Sequence, residues 1–147
     1  MTARSESVLS REVDIETILA SPDSTAATGV PQQAAALLEA AEAAIGSWLR
    51  ASGESPTEGE VEGFRLLALH RQGARVDPSF NACRESCREL IYQCNMAQAR
   101  PTEATQRLRL AAMVCRHLQL FIAGKMENAA LGEFCCAAKP LRKTDTN

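Results

Sequence analysis

Three cysteines in the segment Cys83-Arg84-Glu85-Ser86-Cys87-Arg88-Glu89-Leu90-Ile91-Tyr92-Gln93-Cys94 stand at i, i+4 and i+11. On a helix of about 3.6 residues per turn these positions fall within about 40° of one another, so the three thiols share one stripe. Phe80 and Leu90 extend it, giving the heptad-like series 80, 83, 87, 90, 94. The stripe is therefore a core face and a thiol face at once. Thiolates are soft ligands that select Cu(I), zinc or an iron–sulfur cluster over magnesium or calcium. They also report redox state by their own oxidation. The bland alternative is packing, because free cysteine behaves as a small hydrophobe and is often fully buried.

Spacing decides which thiols can act together. Side chains at i and i+4 have Cβ atoms roughly 5–6 Å apart, so Cys83 and Cys87 form a plausible two-thiolate clip with Zn–S bonds of about 2.3 Å. Cys94 lies about 10 Å further along the axis and requires a partner from another helix, from Cys115, Cys135 or Cys136. The candidate metal ligands are thus Cys83, Cys87, Cys94 and Cys115. Paired Cys-x-x-Cys knuckles are absent, which argues against a zinc ribbon. No phosphate-binding Gly-rich loop, dinucleotide fingerprint, His-Glu-x-x-His or nucleophile elbow occurs. Neither His70 nor His117 has a glutamate three residues before it, so the carboxylate di-iron pattern is also missing. No catalytic residue is assigned, and the protein is read as non-enzymatic.

The pattern Cys83-x3-Cys87-x6-Cys94 on one helix, followed by Cys115 on the next, resembles the cysteine-rich four-helix-bundle copper storage proteins and their ferredoxin-like relatives. That family lines a bundle interior with Cys-x-x-x-Cys helices whose thiolates hold many Cu(I) ions. The resemblance covers roughly residues 79–137. In the family a cysteine often also stands three after the second one, where this chain has Leu90, and the stretch 108–124 keeps only Cys115. The resemblance therefore implies one or two ions, or a bundle that has lost the metal, rather than bulk storage.

The elements that must position these residues follow from periodicity and punctuation. Pro31 at a first turn and Gly53 as a C-terminal stop predict a helix over 31–51, with Leu38, Ala41, Ile45 and Trp48 facing the core. Ser55-Pro56-Thr57-Glu58 combines an N-cap, a proline at N1 and a capping-box glutamate, which predicts a helix over 56–72 stopped by Gly73. His70 near its end reads as a surface or capping residue. Asp77-Pro78 opens a helix over 79–99, and Pro101 ends it. A fourth helix is expected over 103–123, with Leu108, Ala111, Cys115, Leu118 and Ile122 inward. Gly124 is expected to break or bend it, leaving a shorter helix over 126–138 that contains Cys135 and Cys136. No strand-like alternation is visible. The expected fold is all-α: an antiparallel up-down bundle of four to five helices over 31–138, with a disordered N-terminal arm over 1–30 and a polar tail over 139–147.

The chain of 147 residues is 46% hydrophobic and 23% charged, which suits one domain with a real core. Aromatics are 4%, so the core must be aliphatic and small, favouring closely packed helices. No run of eighteen apolar residues and no leader-like h-region occur, so no membrane span is expected and the compartment is read as cytoplasmic. Net charge is −2, divided as −6 over residues 1–78 and +4 over 79–147. A mild +4 spread over helices reads as a solvated face, so a nucleic-acid partner is not expected. Val8 to Ala20 has an amphipathic pattern that suits docking on a partner protein or on the bundle. The functional expectation is a small protein that binds a soft metal ion or senses redox state. The rival is an interaction module, a regulator or accessory subunit with structural cysteines. A small enzyme or redox carrier using Cys135-Cys136 ranks last, because adjacent cysteines close a disulfide only with strain.

Overall fold

The computed structural model describes residues 29–131, and every described element is helical. Helix α1 spans Val30–Ala51, α2 Arg65–Val76, α3 Arg84–Ala99 and α4 Ala104–Leu131. Short 3₁₀ turns at Pro78–Cys83 and Pro101–Glu103 lead into α3 and α4. The core is one cluster drawn from all four helices, with α1, α3 and α4 packed pairwise and α2 laid on α1 and α3. Among the described residues no helix is long and apolar enough to cross a membrane. Of the arm expected over 1–30, residues 1–28 lie outside the described residues and Val30 already belongs to α1; the tail over 139–147 and residues 132–138 also lie outside them.

Helix α1 ends as its glycine demands. Gly53 takes φ +85, the Glu54 N–H donates to the Leu49 carbonyl at 2.8 Å, and the Gly53 N–H donates to the Arg50 carbonyl at 3.0 Å. This is a Schellman cap, which satisfies carbonyls the helix leaves open. Trp48 is buried near that end, and its ring centroid lies 4.5 Å from that of Phe80. All five positions of the predicted 80, 83, 87, 90, 94 stripe are buried, as are Leu108, Ala111, Cys115, Leu118 and Ile122 on α4.

Several helix boundaries depart from expectation; the helix expected over 79–99 begins at Arg84, because Pro78–Cys83 is 3₁₀. Residues 56–64 do not continue α2 backward. Glu62 and Gly63 take φ +56 and +86, and Val61 and Phe64 exchange N–H···O bonds of 3.1 and 3.0 Å, forming a tight hairpin-like turn. Such a turn is incompatible with right-handed helix, and two glycines in the segment weaken the helical alternative by about 1 kcal/mol each. The segment finds other partners. Thr57 N–H donates to Gln72 Oε1 and Gln72 Nε2 to the Ser55 carbonyl, both at 2.8 Å, and Arg65 Nε donates to the Thr57 carbonyl at 2.9 Å.

Gly73 does not stop α2, which runs on to Val76. It is instead the place where Phe80 lies against the helix, for a Cβ there would stand 2.7 Å from a ring carbon. Gly124 likewise does not break α4, which continues to Leu131. Nothing crowds that glycine, and one exposed glycine costs a long helix only about 1 kcal/mol. Its neighbour Lys125 holds the helix down. The ammonium pairs with Asp77 at 2.8 Å and sits 5.5–6.0 Å from the ring centroids of Trp48, Phe80 and Phe121. The separate helix expected over 126–138 is, as far as Leu131, a continuation of α4.

Candidate functional site

The four candidate cysteines are all free and buried, and they divide into two pairs of different character. Cys94 on α3 and Cys115 on α4 point into the centre of the core. The Cys94 thiol donates to the Ala34 carbonyl at 3.7 Å, and the Cys115 thiol donates to the Leu37 carbonyl at 3.4 Å. Both acceptors belong to α1, so these sulfurs fasten the other helices to it. Burial pushes both thiols up to about 12, and for Cys115 the charge of a Cys94 thiolate adds to the effect. A thiol so far above neutrality remains a packed, neutral donor.

Cys83 and Cys87 sit in a different environment. Asp77 caps the 3₁₀ turn by accepting from the Ser79 N–H at 3.0 Å, and the turn delivers Cys83 to the N-terminus of α3. Cys87 follows one turn later. From α2, His70 reaches the same place, 6% exposed, with Nε2 at 2.9 Å from the Phe80 carbonyl oxygen. The Cys83 thiol donates to that same oxygen at 3.2 Å. One carbonyl therefore gathers the imidazole and the thiol.

The electrostatics separate the two sulfurs. The neighbouring Cys87 thiol draws Cys83 well below the usual thiol range, against burial and with His70 assisting. Cys87 is driven upward, first by donating to Cys83 and then by burial. His70 is raised, chiefly by its hydrogen bond to Cys83, with the Phe80 carbonyl assisting against burial. The helix N-terminus favours a thiolate at Cys83 for the same reason it favours any anion. The centre can hold either a neutral His–thiol pair sharing the Phe80 carbonyl or an imidazolium–thiolate pair.

The structure brings Cys83 and Cys87 together and leaves Cys94 and Cys115 to the core. Among the described residues no group of three or more His, Cys, Asp or Glu side chains is arranged to hold a metal ion. Cys135 and Cys136 lie outside the described residues. His70, read from sequence as a surface or capping residue, is the third member of the centre. The signal was its spacing, since Leu66, His70 and Gly73 stand at i, i+4 and i+7 on the buried side of α2.

Beside this centre lies a cavity of about 250 Å³ between α2 and the start of α3. Its polar wall is His70 and Arg71 from α2, Asn81 from the 3₁₀ turn, and Arg84 and Arg88 from α3. Compared with protein-family models, curated proteins and solved structures, the chain has no match.

Proposed function

We propose that this chain is a small non-enzymatic protein that senses redox state through the Cys83–Cys87 dithiol, on an antiparallel up-down bundle of four helices. The observation that carries the reading is geometric: the Cys83 thiol and the buried His70 imidazole meet on the Phe80 carbonyl at 3.2 and 2.9 Å, with a second buried thiol, Cys87, one turn on in α3. A low thiol supplies the nucleophile, and a protonated neighbour one turn away supplies the resolving sulfur. The four-residue link between α3 and α4, from Arg100 to Glu103, supports the antiparallel arrangement. The compartment consistent with a reversible dithiol of this kind is a reducing one, the cytoplasm.

With a peroxide as oxidant the steps balance as follows. The Cys83 thiolate attacks one peroxide oxygen, the O–O bond breaks, and the leaving hydroxide takes the proton of the His70 imidazolium, giving a sulfenic acid and water. The Cys87 thiol then attacks the sulfenic sulfur and a second water leaves. Two thiols are oxidised to one disulfide and one peroxide is reduced to two waters. Sulfurs at i and i+4 must be drawn closer than helical geometry leaves them, since disulfide Cβ atoms stand about 3.5–4.5 Å apart. Oxidation should consequently rewind the first turn of α3 and shift Phe80 against Trp48. The soft-metal reading has weaker support, because no three His, Cys, Asp or Glu side chains among the described residues are arranged to hold a metal ion.

The experiment uses the only tryptophan as reporter. Peroxide should change Trp48 emission in the wild-type chain, and a dithiol reductant should restore it. In Cys87→Ala the change should be absent, since no disulfide can form. Equal responses in both proteins would contradict the proposal.

The interaction-module reading is supported by one observation. Leu110, Met113 and Leu120 are 36%, 54% and 64% exposed and lie on one face of α4. With Arg109 exposed alongside, the face suits an amphipathic partner helix flanked by acidic residues. Leu120→Glu would abolish such binding without altering the thiol chemistry.

A further inference from the structure

The cavity beside the thiol centre is lined with an excess of positive charge that the fold does not need. Arg71, Arg84 and Arg88 all border it, from two helices. Only Arg88 has a carboxylate partner: its Nη atoms meet Glu62 at 2.8 and 3.2 Å in a two-pronged contact. Arg71 and Arg84 form no ion pair among the described residues. They act on Glu62 only through space, lowering its carboxyl after the larger effect of Arg88. Three guanidiniums thus border a cavity of about 250 Å³, with Glu62 paired to Arg88 and Glu85 acting on Arg88 through space.

Glu62 reaches Arg88 in an unusual way. It stands at φ +56, a conformation that disfavours a side-chain-bearing residue, on the tight turn closed by Val61 and Phe64. The adjacent Gly63 makes the turn possible, and neither residue is buried. The turn therefore places a carboxylate over the arginines without contributing to the core.

We propose that this cavity is a binding site for a small phosphate-type dianion, free phosphate or a phosphate monoester, and that Glu62 is its built-in competitor. With Glu62 displaced, three guanidiniums set against Glu85 leave two positive charges, which match a dianion rather than a monocarboxylate. Arginine also presents paired N–H donors that fit phosphate oxygens. Asn81 and the imidazole of His70 complete the polar wall. The volume suits a phosphate with a small substituent and is below the usual range for a drug-sized ligand. When the anion enters, Arg88 exchanges the Glu62 carboxylate for a phosphate oxygen and the turn swings free.

The test is calorimetric titration of the full chain with inorganic phosphate and, separately, with glycerol phosphate, at constant ionic strength with chloride as the balancing salt. One-site saturable binding is expected for the wild type. The double variant Arg71→Gln, Arg84→Gln should lose at least about tenfold in affinity, as expected when charge-assisted hydrogen bonds are removed. Glu62→Gln should gain affinity, by about tenfold if the carboxylate competes as proposed. These side chains are exposed or partly exposed, so unchanged circular dichroism should accompany each variant. Tighter binding of glycerol phosphate would assign a monoester, and tighter binding of inorganic phosphate would assign the free ion. Absence of saturable binding in both the wild type and Glu62→Gln would overturn the proposal. So would an affinity unchanged in the double arginine variant.

Discussion

Replacing His70 by Gln isolates the contribution of the imidazolium to the Cys83 thiolate. Gln still offers an N–H to the Phe80 carbonyl, so the substitution removes charge without stranding a buried acceptor. The imidazole Nε2 and the Cys83 sulfur lie 2.9 and 3.2 Å from the same oxygen, so they are no more than about 6 Å apart. At that separation, with an effective dielectric of about 20, two unit charges attract by about 3 kcal/mol, or about two pKa units. The Cys83 thiolate should accordingly become about a hundredfold harder to form once the imidazolium is gone. The ultraviolet absorbance of the thiolate follows this on titration, in a background with Cys135 and Cys136 replaced by Ser. Burial keeps Cys94 and Cys115 silent in this range, since both are pushed up to about 12. A titration midpoint that is the same with His and Gln at position 70 would refute the reasoning.

Gly73→Ala should destabilise the fold by on the order of 1 kcal/mol in urea unfolding. The new Cβ would stand 2.7 Å from a ring carbon of Phe80, and overpacking outweighs the gain in helix propensity because Trp48 hems that ring in; equal or higher stability would contradict this. Lys125→Met should cost about 1 kcal/mol at pH 7, through loss of the pair with Asp77 and the cation over three rings. Lys125, and after it Ser79, holds the Asp77 carboxyl down to about 2, so its stabilisation is complete above pH ~4 and is lost as pH falls toward ~2. The acid loss should therefore be shallower in Lys125→Met than in the wild type, which melting temperatures across that window would check. Cys94→Ala and Cys115→Ala should each cost on the order of 1 kcal/mol in denaturant unfolding while leaving the Trp48 response to peroxide intact; loss of that response would move these thiols into the reactive centre.

The helical class and the buried faces were legible because they depend on period alone. The stripe from Phe80 to Cys94 and the Leu108 to Ile122 series both face the core as their spacing predicts. Punctuation was less legible where one residue type serves two purposes. Ser55-Pro56-Thr57-Glu58 has the local form of a helix start, yet its backbone partners are Gln72 and Arg65, about a helix length away in sequence. Gly73 looks like a stop, and only the position of the Phe80 ring shows it to be a contact site. Spacing placed Cys83 and Cys87 one turn apart correctly. It could not distinguish them from Cys94 and Cys115, because the difference arises from what faces each sulfur: a histidine from another helix in one case and backbone carbonyls of α1 in the other.

The most direct measurement is a peptide map after brief peroxide treatment of the native protein, with the remaining thiols alkylated only after unfolding. A disulfide joining Cys83 to Cys87 is the predicted product, with Cys94 and Cys115 recovered as alkylated thiols. Recovery of Cys83 and Cys87 as free thiols, or oxidation of Cys94 or Cys115 ahead of them, would contradict the account.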